Sequence, residues 1–381
     1  MITNKRAYLD WNATAPLLPE VQDAMLAAFT QIGNPSSVHS EGRAARASME
    51  TARAHVASLV GGESKNVFFT ASGTEAANTV LTPSLGAPRL LVSAVEHSCA
   101  LAGGQFKRDS ITTLPVDENG RLNLDALAVE LTKPGRVLLS LQLANNETGV
   151  VQPVREAARL VHEAGGLVHV DAVQAAGKIR VNMQELGVDV LTLSAHKFGG
   201  PKGVGAFVFA NDSLRSTRAL VRGGGQERGQ RAGTENVAGI VGFGAASKIA
   251  AERLSQMCAL EVLRNRLELG IMQRAPQAVI FGEGVERLPN TTCFAVAGLL
   301  AETALIGFDM DGVSVSSGSA CSSGKVSKSH VLVAMGVLDE LAQAAIRVSL
   351  GPTTTEADLT RFFIALENRL KSLHIYTTQA A

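Results

Sequence analysis

The segment LTLSAHKFGGPKG, Leu191–Gly203, reads as a strand that ends at Ser194 and gives way to a glycine-rich loop carrying His196 and Lys197. In an open α/β sheet that is the carboxyl end of a strand, where ligands bind. Outward from it, between Asn66 and Phe209, short apolar or β-branched runs recur: NVFFT, RLLVSA, ITTLPV, RVLLSLQL and GLVHVDA before it, GVGAFVF after it. The stretches between them look helical, as in PVREAARLVHEAGG, where apolar residues recur three and four apart and a glycine pair follows as a stop. With DVLTLSA itself the runs predict an α/β fold whose large domain holds a mainly parallel seven-stranded sheet flanked by helices.

Two helices, PEVQDAMLAAFTQ and SEGRAARASMETARAHVASLVGG, precede this block. After about Gly233 an Ala-rich segment runs toward AERLSQM and reads as a helix bridging two domains. From roughly Leu260 the pattern changes to AVIFG, TTCFAVA, helical AETALIGFDM, AAIRVSLGP and a closing helix TEADLTRFFIALENRLKSL, which suits a smaller α+β domain. The expected division is a large domain over 15–255 and a small one from 1–14 with 256–381. A chain of 381 residues has length enough for both cores.

Composition removes several function classes. The 35 Lys and Arg balance the 35 Asp and Glu, so no broad field favours nucleic acid or an anionic membrane. No apolar run is long enough to span a bilayer, and the N-terminal stretch lacks the apolar h-region of a signal peptide, so a soluble cytoplasmic protein is expected. The four cysteines, Cys99, Cys258, Cys293 and Cys321, lie far apart without C-x-x-C, against a zinc knot or disulfide framework, and no catalytic metal is expected. The first three read as inert core residues; Cys321 sits instead in SSGSACSSGK, among small polar residues that build no core. SACSSGK ends like a phosphate-binding P-loop but has Ser319 where glycine is needed and Val326 where a magnesium-holding Ser or Thr belongs. GGPKGVGAF lacks dinucleotide-fingerprint spacing and runs into a strand, and GFGAAS is a partial match inside a helix.

What survives is a set of residues at successive strand ends. Lys197, held in a partly desolvated pocket, can attack a carbonyl and form a Schiff base. Asp171 ends GLVHVDA one β-unit upstream, and a carboxylate there is what pyridoxal phosphate requires to keep its pyridine nitrogen protonated; the alternative is a helix N-cap before AVQAAG. Gln174 reaches the ring hydroxyl or caps the turn. In FFTASGTEAANTVL a strand leads through Ser72, Gly73 and Thr74 into a helix whose free amides and Thr74 hydroxyl make a phosphate cradle, or an ordinary N-cap. His97 follows another strand; with only 4% aromatic residues a histidine can stack on a flat cofactor and handle protons, unless it is structural. Ser194 and His196 add phosphate donors, and Asn146 in LANNETG a contact to the ring oxygen.

These motifs, read together, closely resemble the cysteine desulfurases that supply sulfur for iron–sulfur assembly, in the class V aminotransferase group of pyridoxal-phosphate enzymes with fold type I. The resemblance rests on YLDWNATAP, GNPSSVHSEGRAAR, SGTEAANT, EHSC, NNETG, VDAVQAAGK, SAHKFGGPKGVG, GGGQERGQRAGTEN, SSGSACSSG and IRVSLG, in order along nearly the whole chain. It implies that Lys197 carries pyridoxal 5'-phosphate, Asp171 pairs with the pyridinium nitrogen, His97 stacks on the ring, and Gln174 and Asn146 contact its hydroxyl. Gly73, Thr74, Ser194 and His196 would hold the phosphate, with Thr234 of RAGTEN reaching in from a second subunit of a homodimer. Arg347 would clamp the carboxylate of L-cysteine, a task suited to a planar two-pronged donor, with Asn34 assisting.

Under that resemblance Cys321 as thiolate attacks the substrate sulfur, giving a persulfide and releasing alanine, and the Ser/Gly composition around it suits a thiol that reaches the cofactor and swings out to an acceptor such as an iron–sulfur scaffold protein. The alternatives are a selenocysteine lyase or aminotransferase-like enzyme, for which Cys321 would be dispensable, and a non-catalytic sulfur carrier, against which Lys197, Asp171 and Arg347 all stand. Two departures accompany the match. Trp11 and Asn12 of YLDWNATAP stand where smaller or different residues are frequent, read as packing variation, and the chain ends with LKSLHIYTTQAA, which reads as shorter than relatives whose C-terminal extension docks a scaffold.

Overall fold

The structure, a computed structural model, describes residues 6–214, 218–318 and 328–379. Strand β1 (Ala7–Tyr8) leads into helices Pro19–Phe29, with proline in its first turn, and Ser40–Leu59, capped by His39. Seven strands follow: β2 (Val67–Thr70), β3 (Arg89–Ser93), β4 (Ile111–Leu114), β5 (Val137–Gln142), β6 (Leu167–Asp171), β7 (Val190–Ser194) and β8 (Gly205–Phe209). Each falls in one of the seven predicted runs. They form one sheet in the order β2-β8-β7-β6-β5-β3-β4. Only β8 runs against its neighbours, β2 and β7; the remaining pairings are parallel. Strands β5 to β8 are buried at every position, as strands of a mainly parallel sheet are when helices cover both faces.

The Ala-rich segment forms the helix Val237–Arg253 and packs on Ser40–Leu59. Gly244 allows the close approach: a Cβ there would lie 2.4 Å from the Ala52 Cα. This is the physical content of GFGAAS, the partial fingerprint of the sequence. A buried ion pair fixes the segment before it. Arg53 grips Glu227 with two bonds of 2.8 Å, and Glu227 also accepts from the Phe69 amide at 2.9 Å. Glu227 and Arg228 are held at φ +46° and +54°, a conformation non-glycine residues adopt only when their surroundings impose it.

A second sheet, β12-β13-β10-β9, is antiparallel and comprises β9 (Val279–Ile280), β10 (Thr291–Ala295), β12 (Ser316–Ser317) and β13 (Ile346–Ser349). β11 (Val313–Ser314) pairs in parallel with β1, which builds the N-terminus into this part of the protein. Helices Met257–Arg274, Ala301–Met310 and Glu356–Gln379 accompany it. Its own apolar core includes Leu9, Leu267, Phe294, Phe308 and Phe362, the last two stacked at 5.4 Å. Among the described residues no helix is long and apolar enough to cross a membrane.

Candidate active site

Because β2, β3, β5, β6 and β7 run parallel, their carboxyl ends share one edge of the sheet, and the loops leaving them wall a cavity of about 270 Å³. Strand β2 passes through Ser72 into helix Gly73–Val80, whose first turn places Gly73 and Thr74 on the wall. The first amides of a helix have no carbonyl of their own to bond. The Ser72 hydroxyl accepts from the Glu75 amide, so the capping reading of this stretch is true as well, and it leaves those amides to a ligand. A Cβ on Gly73 would come within 3.2 Å of Val173 and 3.3 Å of Ser194, so glycine keeps this end of the cavity open.

The carboxyl ends of β6 and β7 bring Asp171, Ser194, His196 and Lys197 into the same cavity; Gln174 follows Asp171, Asn146 follows β5 and His97 follows β3. Asp171 accepts from the Val173 amide at 2.9 Å within a turn, with no helix beginning there for it to cap, and lies on the cavity wall. Burial raises its carboxyl above the usual range, and His97 and Lys197 pull the other way. Burial lowers His97 below the usual imidazole range. Its Nδ1 accepts from the Cys99 amide at 3.2 Å, which puts the proton of the neutral ring on Nε2. His196 is brought down to about 4, first by burial and then by Lys197 and Lys202. At neutral pH both histidines act as uncharged donors. Lys197 Nζ donates to the carbonyls of Asn12 at 2.8 Å and Ala13 at 3.0 Å.

Arg347 enters from β13, only 2% exposed, with bonds to the Asn146 carbonyl at 3.0 Å and Asp10 at 2.8 Å. Its buried Nε has no hydrogen-bond partner among the described residues. Arg347 is one of the residues lining the cavity, and a guanidinium there suits an anionic group. A lysine, a carboxylate, neutral imidazoles and free helix amides around one cavity form a donor set that fits a flat pyridine ring bearing a phosphate, with Arg347 left for a second anion.

Two predicted residues are not on this wall. Thr234 is exposed and lines a separate hollow with Thr70, Gly203 and Arg231. Asn34 is exposed too, its side chain accepting from the Ser36 amide. Cys321 lies outside the described residues. Two expectations are corrected. Cys258 is no core residue but exposed on its helix, whereas Cys99 is buried yet lines the cavity, its thiol pushed up by burial; Cys293 is buried in β10 as expected. Asn12, read as packing variation, is fully buried and ties β10 to the turn after β6: its side chain donates to Thr291 and accepts from Asn290 and Lys178. Its neighbours are polar, so a side chain with both donor and acceptor is required there.

Glu147, next to Asn146, was also not singled out. It accepts from the Ser329 hydroxyl, and burial raises its carboxyl from an ordinary 4.5 to about 7, with Arg347 opposing. A carboxyl that holds its proton more tightly when folded favours folding below its unfolded pKa, and that gain is lost as pH rises from about 4.5 to about 7. Glu147→Gln has no such loss. We expect wild type and variant to be similarly stable at pH 5 and the variant to gain at pH 8 by roughly 3 kcal/mol. Denaturant titrations at the two values check it; parallel pH profiles would show the carboxylate to be ionised and satisfied throughout.

Residues 7–362 match the family described as Aminotransferase class-V. A cysteine desulfurase of Cereibacter sphaeroides is 44% identical over 372 residues, covering 95% of this chain and 95% of that one. A cysteine desulfurase IscS of Clostridium botulinum is 38% identical over 368 residues, 93% of this chain and 92% of its own. The solved NifS-like protein from Rickettsia africae superposes with a TM-score of 0.87 at 34% identity, covering 96% of this chain and 99% of that chain.

Proposed function

The chain belongs to the aminotransferase class-V family, and from that premise we propose that it is a cysteine desulfurase, which takes sulfur from L-cysteine, releases L-alanine and passes the sulfur to an acceptor. Its cofactor is pyridoxal 5'-phosphate. The alternative of a selenocysteine lyase or aminotransferase-like enzyme is not favoured by relatives that carry the name cysteine desulfurase. The observation that carries the reading is the meeting of Lys197, Asp171 and a buried, partly unpartnered Arg347 on one cavity.

When bound, pyridoxal phosphate would supply an electron sink for the bonds at the substrate's α carbon. In our reading Lys197 holds the cofactor, and its amine moves the α proton once substrate occupies the site. Asp171 sets the charge of the ring nitrogen, while His97 stacks on the ring and carries a proton on Nε2. Gln174 and Asn146 bind the ring oxygen; Gly73, Thr74, Ser194 and His196 hold the phosphate. Arg347, on the cavity wall, orients the substrate carboxylate. Cys321 receives the sulfur.

We assign the large unit to 15–255 and the small one to 1–14 with 256–381; the separate apolar core around Phe308 and Phe362 supports that division. The working form is a homodimer in which the exposed Thr234 serves the partner's cavity, Asn34 assists Arg347 at the substrate carboxylate, and the acceptor is an iron–sulfur scaffold protein. The test is alanine release from L-cysteine by the purified, cofactor-loaded protein with reductant present. Alanine with matching sulfide supports the reading. A protein that shows the cofactor's visible band but yields no alanine has the cofactor and a different reaction.

A further inference from the structure

Lys178 is a costly residue in its place. It is 7% exposed, and burial, with Lys197 and Arg347 adding, holds its amine well below the ordinary lysine range. Its two hydrogen-bond partners are amide oxygens, Gln174 Oε1 and Asn12 Oδ1, each at 2.7 Å. Lys178 is not among the residues lining the cavity, but Gln174 is.

We propose that Lys178 is a positioning residue that fixes the Gln174 amide with its oxygen toward Lys178 and its NH₂ group free to donate to the ring oxygen of the bound cofactor. The inference rests on the cofactor reading above and deepens it. A terminal amide is nearly symmetric in shape, so only its partners decide which end is which. Here they agree. The Gln174 NH₂ donates to the Asn12 carbonyl at 3.0 Å, an atom that can only accept and that also takes Lys197 Nζ at 2.8 Å. Turning the amide over would set its NH₂ against the N–H groups of Lys178 and its oxygen against the Asn12 oxygen. The Gln174 NH₂ has two hydrogens; one goes to Asn12 and the other remains for the cavity. The i to i+4 spacing in VDAVQAAGK is the sequence trace of this arrangement.

A donor at the ring oxygen draws charge from it, so that oxygen holds a neighbouring proton less tightly. Lys178→Met keeps the length and removes the donor. In cofactor-loaded protein the pH midpoint of the visible band then rises by about one unit and cofactor affinity falls about tenfold. The same change made in a Gln174→Ala background leaves the midpoint where Gln174→Ala alone puts it, because Lys178 acts through Gln174. Lys178→Gln, which keeps an N–H donor, falls between wild type and Lys178→Met, and it carries the test if the methionine variant does not fold. A midpoint unmoved in the folded Lys178 variants overturns the inference. So does a shift that persists undiminished without Gln174, which would mark Lys178 as a charge acting on Lys197 directly. A wild-type protein with no visible band after incubation with pyridoxal phosphate overturns the cofactor reading itself, and this inference with it.

Discussion

Lys197→Ala abolishes the visible band of the bound cofactor and lowers alanine release from L-cysteine by at least about 10³-fold. The residue ends the turn Ala195–Lys197 that follows β7, so its backbone is placed by the most deeply buried part of the sheet while its amine reaches the cavity. Truncation leaves that backbone in place. Ala195 stays buried, and its carbonyl still accepts from the Gly200 amide. What disappears is the amine that bonds the Asn12 and Ala13 carbonyls, and the Asn12 carbonyl keeps its bond from Gln174. Far-ultraviolet circular dichroism therefore matches wild type while the visible spectrum does not. A variant that keeps the band would place the cofactor on another amine, and Lys178, bonded to the same Asn12, would be the one to replace next.

The residues whose part was legible in the sequence share a physical property: their position follows from local pattern. Seven runs predicted seven strands because most are buried on both faces, the edge strand β4 excepted, and a parallel sheet turns strand ends into neighbours automatically. Asp171, Ser194 and Lys197 were found in this way. Asn12 was not, because its role comes from partners at Asn146, Lys178, Asn290 and Thr291, all far along the chain. No periodicity connects β1 to β11 either; that pairing is a long-range contact of two short strands. Lys178 stands in the sequence only as the last residue of VDAVQAAGK; its burial and its bonds to Gln174 and Asn12 come from the fold. Cys258 misled in the opposite direction, since a cysteine within a helical run gives no sign of which face it occupies.

Cys321→Ser keeps the cofactor band and the stability of wild type and loses alanine release from L-cysteine by at least about 10²-fold. The balance of the reaction requires a thiol. The nucleophile's sulfur bonds to the substrate sulfur, the C–S bond breaks with its electron pair going to carbon, and a proton completes alanine; two thiol sulfurs are oxidised to the persulfide level as that carbon is reduced. A serine oxygen cannot take the nucleophile's part under these conditions. The other cysteines are poorly suited. Burial pushes the thiols of Cys99 and Cys293 well up, so neither ionises, and Cys258 is exposed on the helix Met257–Arg274 and does not line the cavity. The chain on either side of Cys321 is tied to the site. Gly318 donates to the Ala345 carbonyl beside β13, which carries Arg347, and Ser329 and His330 bond Glu147 and the Glu96 carbonyl next to His97. Alanine assays on Cys321→Ser and Cys99→Ser, with reductant, separate the thiols: only the first should fail. Equal turnover by Cys321→Ser and wild type would remove the persulfide from the mechanism and leave Lys197 and the cofactor where they are, because nothing that holds the ring in the cavity depends on that thiol.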